Sequence, residues 1–227
     1  MRLPPTLACP PMSSTITSIP NHLRIWQQNI NKSRVAQEDL INSDVYKNYN
    51  LMLLQEPFID SYGNTKATKD WWVTYPSHHL TTDHPVCSVI TNLDTNSWVQ
   101  HSIPGSKDLT AIQFKGNTGT INVYNIYSCH NDNTMEALDL HMWHQPASSV
   151  NAPSRYMLWC GDFNWHHPLW DEEHNHHLFM AAALWAADGL LEKVLAYRML
   201  MILPKVPPRW RPNQPRTGPA QTMSSGV

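Results

Sequence analysis

Short apolar runs alternate with polar stretches along this chain, and several runs close on polar residues. Leu23 to Ile30 (LRIWQQNI) reads as a strand that ends in Gln27-Gln28-Asn29. Ser33 can cap a helix over about 34–47, with Val35, Leu40, Ile41 and Val45 as an imperfect apolar stripe. Leu51 to Leu54 is a continuous apolar run, hence a buried strand, and Pro57 stops it so that Glu56 sits at its end. Trp71 to Tyr75 and Val86 to Thr91 are strand-like. Leu109 to Phe114 and Thr120 to Tyr127 predict a hairpin across Lys115-Gly116-Asn117-Thr118-Gly119. Asn133 can cap a helix over about 134–145 that carries Leu138, Met142 and Trp143 on one face. Tyr156 to Cys160 reads as a further buried strand, broken by Gly161. His177 to Trp185 and Leu190 to Met199 read as two helices separated by Asp188-Gly189.

The order is strand, helix, several strands, helix, strand, helix: an α/β chain with long antiparallel stretches, too irregular for an alternating βαβαβ series. Eleven of the 18 prolines fall outside 21–203. That places the folded body at 21–203, with a Pro-rich disordered leader over 1–20 and a Pro/Arg-rich tail over 204–227. A length of 227 residues, 41% hydrophobic content and ten Trp suit one globular domain with a proper core. The formal net charge of −2 argues against a dedicated nucleic-acid binder but allows an enzyme that touches a few phosphates. Cys9, Cys87, Cys129 and Cys160 form no C-x-x-C pair and read as reduced thiols. No apolar run approaches the roughly 18 residues of a membrane span, and prolines stand where a signal peptide needs an apolar segment. The expectation is an intracellular protein, nuclear or cytoplasmic, without a membrane partner; no obligate protein partner is implied.

Among the chemistry-bearing residues, Asp162 and Asn164 in Gly161-Asp162-Phe163-Asn164 lie two apart and point to one side of an extended backbone. The same four residues also suit an ordinary Asx-type turn. Asn29, Glu56, Tyr127, Asp162 and Asn164 all fall at or near the ends of apolar strands. Singly, each has a plain reading as a loop acid, a turn former or a packed tyrosine. Jointly they make a hard-oxygen site with no thiolate, which suits Mg²⁺ or Mn²⁺ and phosphate esters. His166, His167, His174, His176 and His177 follow closely; imidazole suits a transition metal, but no Cys or carboxylate stands at metal-finger spacing, and a loop reading is preferred. No G-x-G-x-x-G, Walker loop, G-x-S-x-G or H-E-x-x-H occurs.

Gln27-Gln28-Asn29, Leu54-Gln55-Glu56-Pro57, Asn125-Ile126-Tyr127 and Gly161-Asp162-Phe163-Asn164, in this order, resemble the motifs of the endonuclease/exonuclease/phosphatase (DNase I-like) superfamily. More narrowly, GDFNWHHPLWDEEHNHHLF is similar to the endonuclease domain of fungal LINE-type (non-LTR) retrotransposons. The resemblance spans about residues 23–205. It implies a four-layer α/β sandwich with two mixed, largely antiparallel sheets, and a metal-dependent DNA endonuclease with Mg²⁺ or Mn²⁺ as cofactor and the phosphodiester backbone as partner. It gives Glu56 and Asn29 the metal, Asp162 the attacking water, Asn164 the water or phosphate, and Tyr127 the phosphate oxygens. For His166 and His167 the resemblance implies at most a hydrogen bond to a phosphate and no catalytic role. Complete members continue with another strand-borne Asp and a terminal His, whereas Pro204 to Val227 contains neither residue type. The expectation is therefore a domain lacking its last strands and impaired in catalysis, its tail the product of a displaced reading frame, a misplaced exon boundary or a decayed copy. Lys205, Arg209, Arg211 and Arg216 in that tail could also cling weakly to nucleic acid. An inactive relic, a weak binding module and a phosphatase of the same fold are the alternatives.

Overall fold

The computed structural model describes residues 22–81, 85–91, 97–116, 119–128, 133–144, 154–171 and 173–202. The leader and the tail lie outside these residues, as do Cys9 and Cys129. Among the described residues eight strands form two four-stranded sheets. The first runs β1 (Ile25–Asn29), β2 (Leu51–Gln55), β4 (Val86–Ile90), β3 (Trp72–Thr74), with β1 and β2 parallel and the other pairings antiparallel. The second runs β5 (Trp98–His101), β6 (Leu109–Gly116), β7 (Gly119–Tyr127), β8 (Ser154–Asp162), antiparallel except for the parallel β7–β8 pair.

Period-two alternation along these strands builds the layers. Ile25, Leu51, Leu53 and Ile90 of the first sheet meet Ile112, Phe114, Val123 and Cys160 of the second in a central core. Met52, Leu54, Cys87 and Val89 point the other way, where Leu40 of α1 (Arg34–Asn42) covers them. Ala111, Tyr124 and Ile126 on the outer face of the second sheet pack against Met135 and Leu138 of α2 (Thr134–Trp143) and Leu190 of α3 (Ala181–Ala196). The result is helix, sheet, sheet, helices: the four-layer sandwich with two mixed sheets that the motifs imply.

Several expectations are corrected. The helix after Ser33 stops at Asn42 and continues only as a 3₁₀ turn, Asp44–Asn48. Its buried positions are Gln37 and Leu40, while Val35 is exposed, because Gln37 plugs a polar gap by donating to Thr65 Oγ1 and accepting from Phe58 N. Ser33 does cap it, its hydroxyl accepting from Ala36 N at 3.2 Å. Asn133 takes the N-cap place of α2 without a capping hydrogen bond, and Trp143 is exposed instead of packed. β5 was not foreseen; WVQH is short and lacks a two-residue alternation long enough to read. Asp188-Gly189 does not divide two helices: α3 runs through it, because Ala183, Ala187 and Leu190 bury one continuous stripe. Gly161 does not break the strand either, and β8 is an edge strand, exposed at Ser154, Arg155 and Tyr156, not a buried one.

Candidate active site

The strand termini gather the expected residues at one rim. Asn29 ends β1, and Gln55 ends β2 opposite it in parallel register. The chain keeps this partnership past the strands: Ile30 N donates to Gln55 O at 2.8 Å and Lys32 N to Glu56 O at 2.7 Å. Glu56 follows directly, 8% exposed, its own N–H donating to Pro85 O at 2.8 Å. Its φ of 45° lies in the left-handed region, a strain of about 1–3 kcal/mol for a residue with a side chain. These two backbone bonds hold it there.

On the second sheet Tyr127 and Asp162 end β7 and β8 and face each other across the parallel pair. Tyr127 is 7% exposed and its N–H donates to Asp108 O at 2.9 Å. Alternation from Val123 and Cys160, both in the central core, puts Asn125, Tyr127 and Asp162 on the face toward the first sheet. Asn29 then closes the gap between sheets, donating from Nδ2 to Asp162 Oδ2 at 2.9 Å. The opposite end of that amide is used too, since Asn29 Oδ1 accepts from Asn31 N at 2.7 Å. The aspartate is therefore held by the far sheet as well as by its own strand.

Gly161-Asp162-Phe163-Asn164 takes the turn reading of the sequence and not the extended one, since β8 ends at Asp162. Asn164 N donates to Asp162 Oδ1 at 3.1 Å, an Asx-type turn, and this turn lies inside the site. Asn164 has left extended backbone, with φ 50°, and its Nδ2 donates to Ser128 O at 3.1 Å. Among the described residues no group donates to its amide oxygen. Phe163 and Trp165 turn outward into the core under α2 and α3, which fixes the turn from behind.

His166 and His167 are engaged in their own loop. His166 Nδ1 lies 3.4 Å from Asp171, whose Oδ2 also accepts from His167 N at 2.9 Å. His167 Nδ1 accepts from Leu169 N at 3.0 Å, so its other nitrogen carries the proton and faces Asp188 Oδ1 at 3.5 Å. Trp170 Nε1 donates to Trp165 O at 2.8 Å and pins the loop to the strand end. Asp171, not singled out in the sequence, is thus the group that shapes the loop behind Asp162.

Sequence reasoning also missed a polar seam beneath the rim. Gln27 Nε2 donates to Gln55 Oε1 at 2.7 Å, Gln55 Nε2 donates to Asn125 Oδ1, and Asn125 Nδ2 donates to Leu54 O at 3.2 Å and Cys87 O at 2.9 Å. Gln55 and Asn125 are fully buried between the sheets; both stand in the motifs quoted above, but the only signal of their structural role is an amide at a core-facing position of an apolar strand. Burial pushes the Cys160 thiol up to about 12 and the Cys87 thiol up as well, so neither offers a thiolate to the site. Among the described residues no three His, Cys, Asp or Glu side chains group as a metal centre. The donors at the rim are carboxylate and amide oxygens, which fit Mg²⁺, an ion that binds through one or two carboxylates and completes its shell with water and phosphate.

No family model matches the sequence, and no curated protein does. Solved structures do. The chain is similar to the endonuclease domain of TRAS1, a telomere-specific non-LTR retrotransposon, with TM-score 0.55 and 15% identity over 77% of this chain and 72% of that one. It is also similar to the AP endonuclease LMAP from Leishmania major, with TM-score 0.53 and 9% identity over 77% of this chain and 68% of that one. At such identities the likeness is one of architecture, and it agrees with the two mixed sheets and their flanking helices: the chain has the DNase I-like endonuclease/exonuclease/phosphatase fold.

Proposed function

We propose that the chain is a Mg²⁺- or Mn²⁺-dependent DNA endonuclease domain of a retrotransposon-derived protein, hydrolysing phosphodiester bonds at the rim where Asn29, Glu56, Tyr127, Asp162 and Asn164 meet. The observation that carries this reading is the 2.9 Å bond from Asn29 Nδ2 to Asp162 Oδ2, which aims one carboxylate from both sheets at once. A divalent cation held by Glu56, with help from Asn29, would supply Lewis-acid polarisation of the phosphoryl oxygen. The chain's own residues do the rest. Asp162, with one oxygen fixed by Asn29 and the other by Asn164 N, keeps a free lone pair on each to take the proton of an attacking water. Asn164 orients that water or the phosphate with its amide oxygen, and the Tyr127 hydroxyl stabilises charge on the phosphate oxygens. DNA as the partner is supported by the two structural relatives, both endonucleases by description.

Nicking of supercoiled plasmid in Mg²⁺ tests the reading, with Asp162→Ala as the comparison. Nicking that is lost in the variant is the expected result; loss of a positioned base typically costs about 10²–10⁴ in rate. Equal nicking by both proteins would move the chemistry away from Asp162. A folded protein that cleaves a soluble phosphomonoester but not plasmid would favour a phosphatase, and one that does neither a binding module.

A further inference from the structure

α2 and α3 leave between them a groove of about 720 Å³ whose lining includes Glu136, Asp139, Leu140, Trp143, Glu192 and Tyr197. Asp139 is already satisfied, by an ion pair with Lys193 Nζ and by the Tyr197 hydroxyl at 3.4 Å. Glu136 and Glu192 have no ion-pair partner among the described residues. Trp143 and Leu140, 83% and 61% exposed, give the groove a bare apolar wall. An aromatic wall beside unpaired acids is the chemistry that receives a Pro-rich segment carrying arginine, its prolines against the ring and its guanidinium on the carboxylate.

This chain carries such a segment directly after α3. Tyr197 lines the groove, Met201 packs on the core beneath α2 and α3, and the sequence then runs Pro204-Lys205-Val206-Pro207-Pro208-Arg209-Trp210-Arg211-Pro212. That is P-x-x-P followed by two arginines, and no Asp or Glu occurs from Leu203 to Val227. We propose that this segment docks in the α2–α3 groove of its own chain, Pro207 and Pro208 against Trp143, Arg209 and Arg211 toward Glu136 and Glu192. Reach is sufficient. At about 3.1 Å per residue in a polyproline conformation, Leu203 to Arg209 spans roughly 22 Å, against about 15 Å for the length of α2. Covalent attachment supplies an effective concentration on the order of millimolar, so contacts that are weak singly suffice. The site lies on the helices outside the second sheet, away from the strand termini that hold Asp162, and is independent of the nuclease reading.

Limited trypsin digestion of the full chain, followed by mass spectrometry, tests the docking through the rate of cleavage after Arg209. Glu136→Gln combined with Glu192→Gln removes the acids without touching the cleavage site, and Trp143→Ala removes the wall; circular dichroism checks that both variants stay folded. The Gln pair is expected to accelerate cleavage about fivefold, the worth of two exposed ion pairs, and Trp143→Ala by a similar factor. Equal rates in all three proteins, within about twofold, would overturn the proposal. So would protection that rises with protein concentration alongside a doubled mass, since a second copy's tail would then fill the groove.

Discussion

At the scale of single residues, the site depends on a place where no side chain fits. Gly161 has φ 150°, and a Cβ built on it would lie 1.8 Å from Ile126 O of the neighbouring strand. Backbone cannot yield as a side-chain tip can. Gly161→Ala is therefore expected to destabilise the protein by about 3 kcal/mol or more, read from urea unfolding, and to weaken the proposed nicking because Asp162 is the next residue. A loss under about 1 kcal/mol would mean that β7 and β8 are not so close there. The sequence shows Gly161 but not this reason for it; read locally, glycine after an apolar run signals a stop, while the constraint comes from a strand some 35 positions earlier. The candidate site residues were legible as candidates because each stands at or beside the end of a recognisable strand. The Asn29–Asp162 bond was not, since it joins residues on different sheets.

At the scale of elements, the sequence reading went astray where burial overrides propensity. Gly189 inside α3 costs roughly 1 kcal/mol relative to alanine, and Asp188 adds to the penalty, which is why the pair reads as a break. The stripe formed by Ala183, Ala187 and Leu190, with Val194 beside it, more than offsets that cost by docking on the outer face of the second sheet. A Cβ at Gly189 would meet nothing within 4 Å. Gly189→Ala should therefore stabilise the protein by about 0.5–1 kcal/mol in the same unfolding measurement, without changing its spectrum. Destabilisation would show that the helix is interrupted there after all. The opposite case is α1, where the local signal prevailed: Ser33 was readable as the cap because its hydroxyl serves its own helix, whereas Gln37 is buried through partners about 20 to 30 positions away.

Across the whole molecule, four layers have to stay in register, and the outermost contact carries a titratable weakness. His101 on β5 and His141 on α2 approach with ring centroids 6.2 Å apart, and Tyr124 of β7 lies edge-on to His141 at 5.8 Å. Burial holds both imidazoles below the ordinary histidine range; Lys115 adds to this at His101, and His101 and His144 add to it at His141. His101 Nε2 is buried without a hydrogen-bond partner among the described residues, so a proton there would be poorly accommodated. The unfolded chain thus binds these protons more readily than the folded one. The stability they contribute is complete above the unfolded value of about 6.5 and is lost as pH falls through the lower folded values. Acidification drives charge between the second sheet and α2, and loosening should begin at that outer layer rather than in the core between the sheets. The measurement is the urea midpoint at about pH 7.5 and about pH 5, for the natural chain and for His101→Gln/His141→Gln. The natural protein should lose more stability over that interval than the double variant, whose amides cannot titrate. An identical loss in both would assign the acid sensitivity to other groups and leave the α2 contact indifferent to pH.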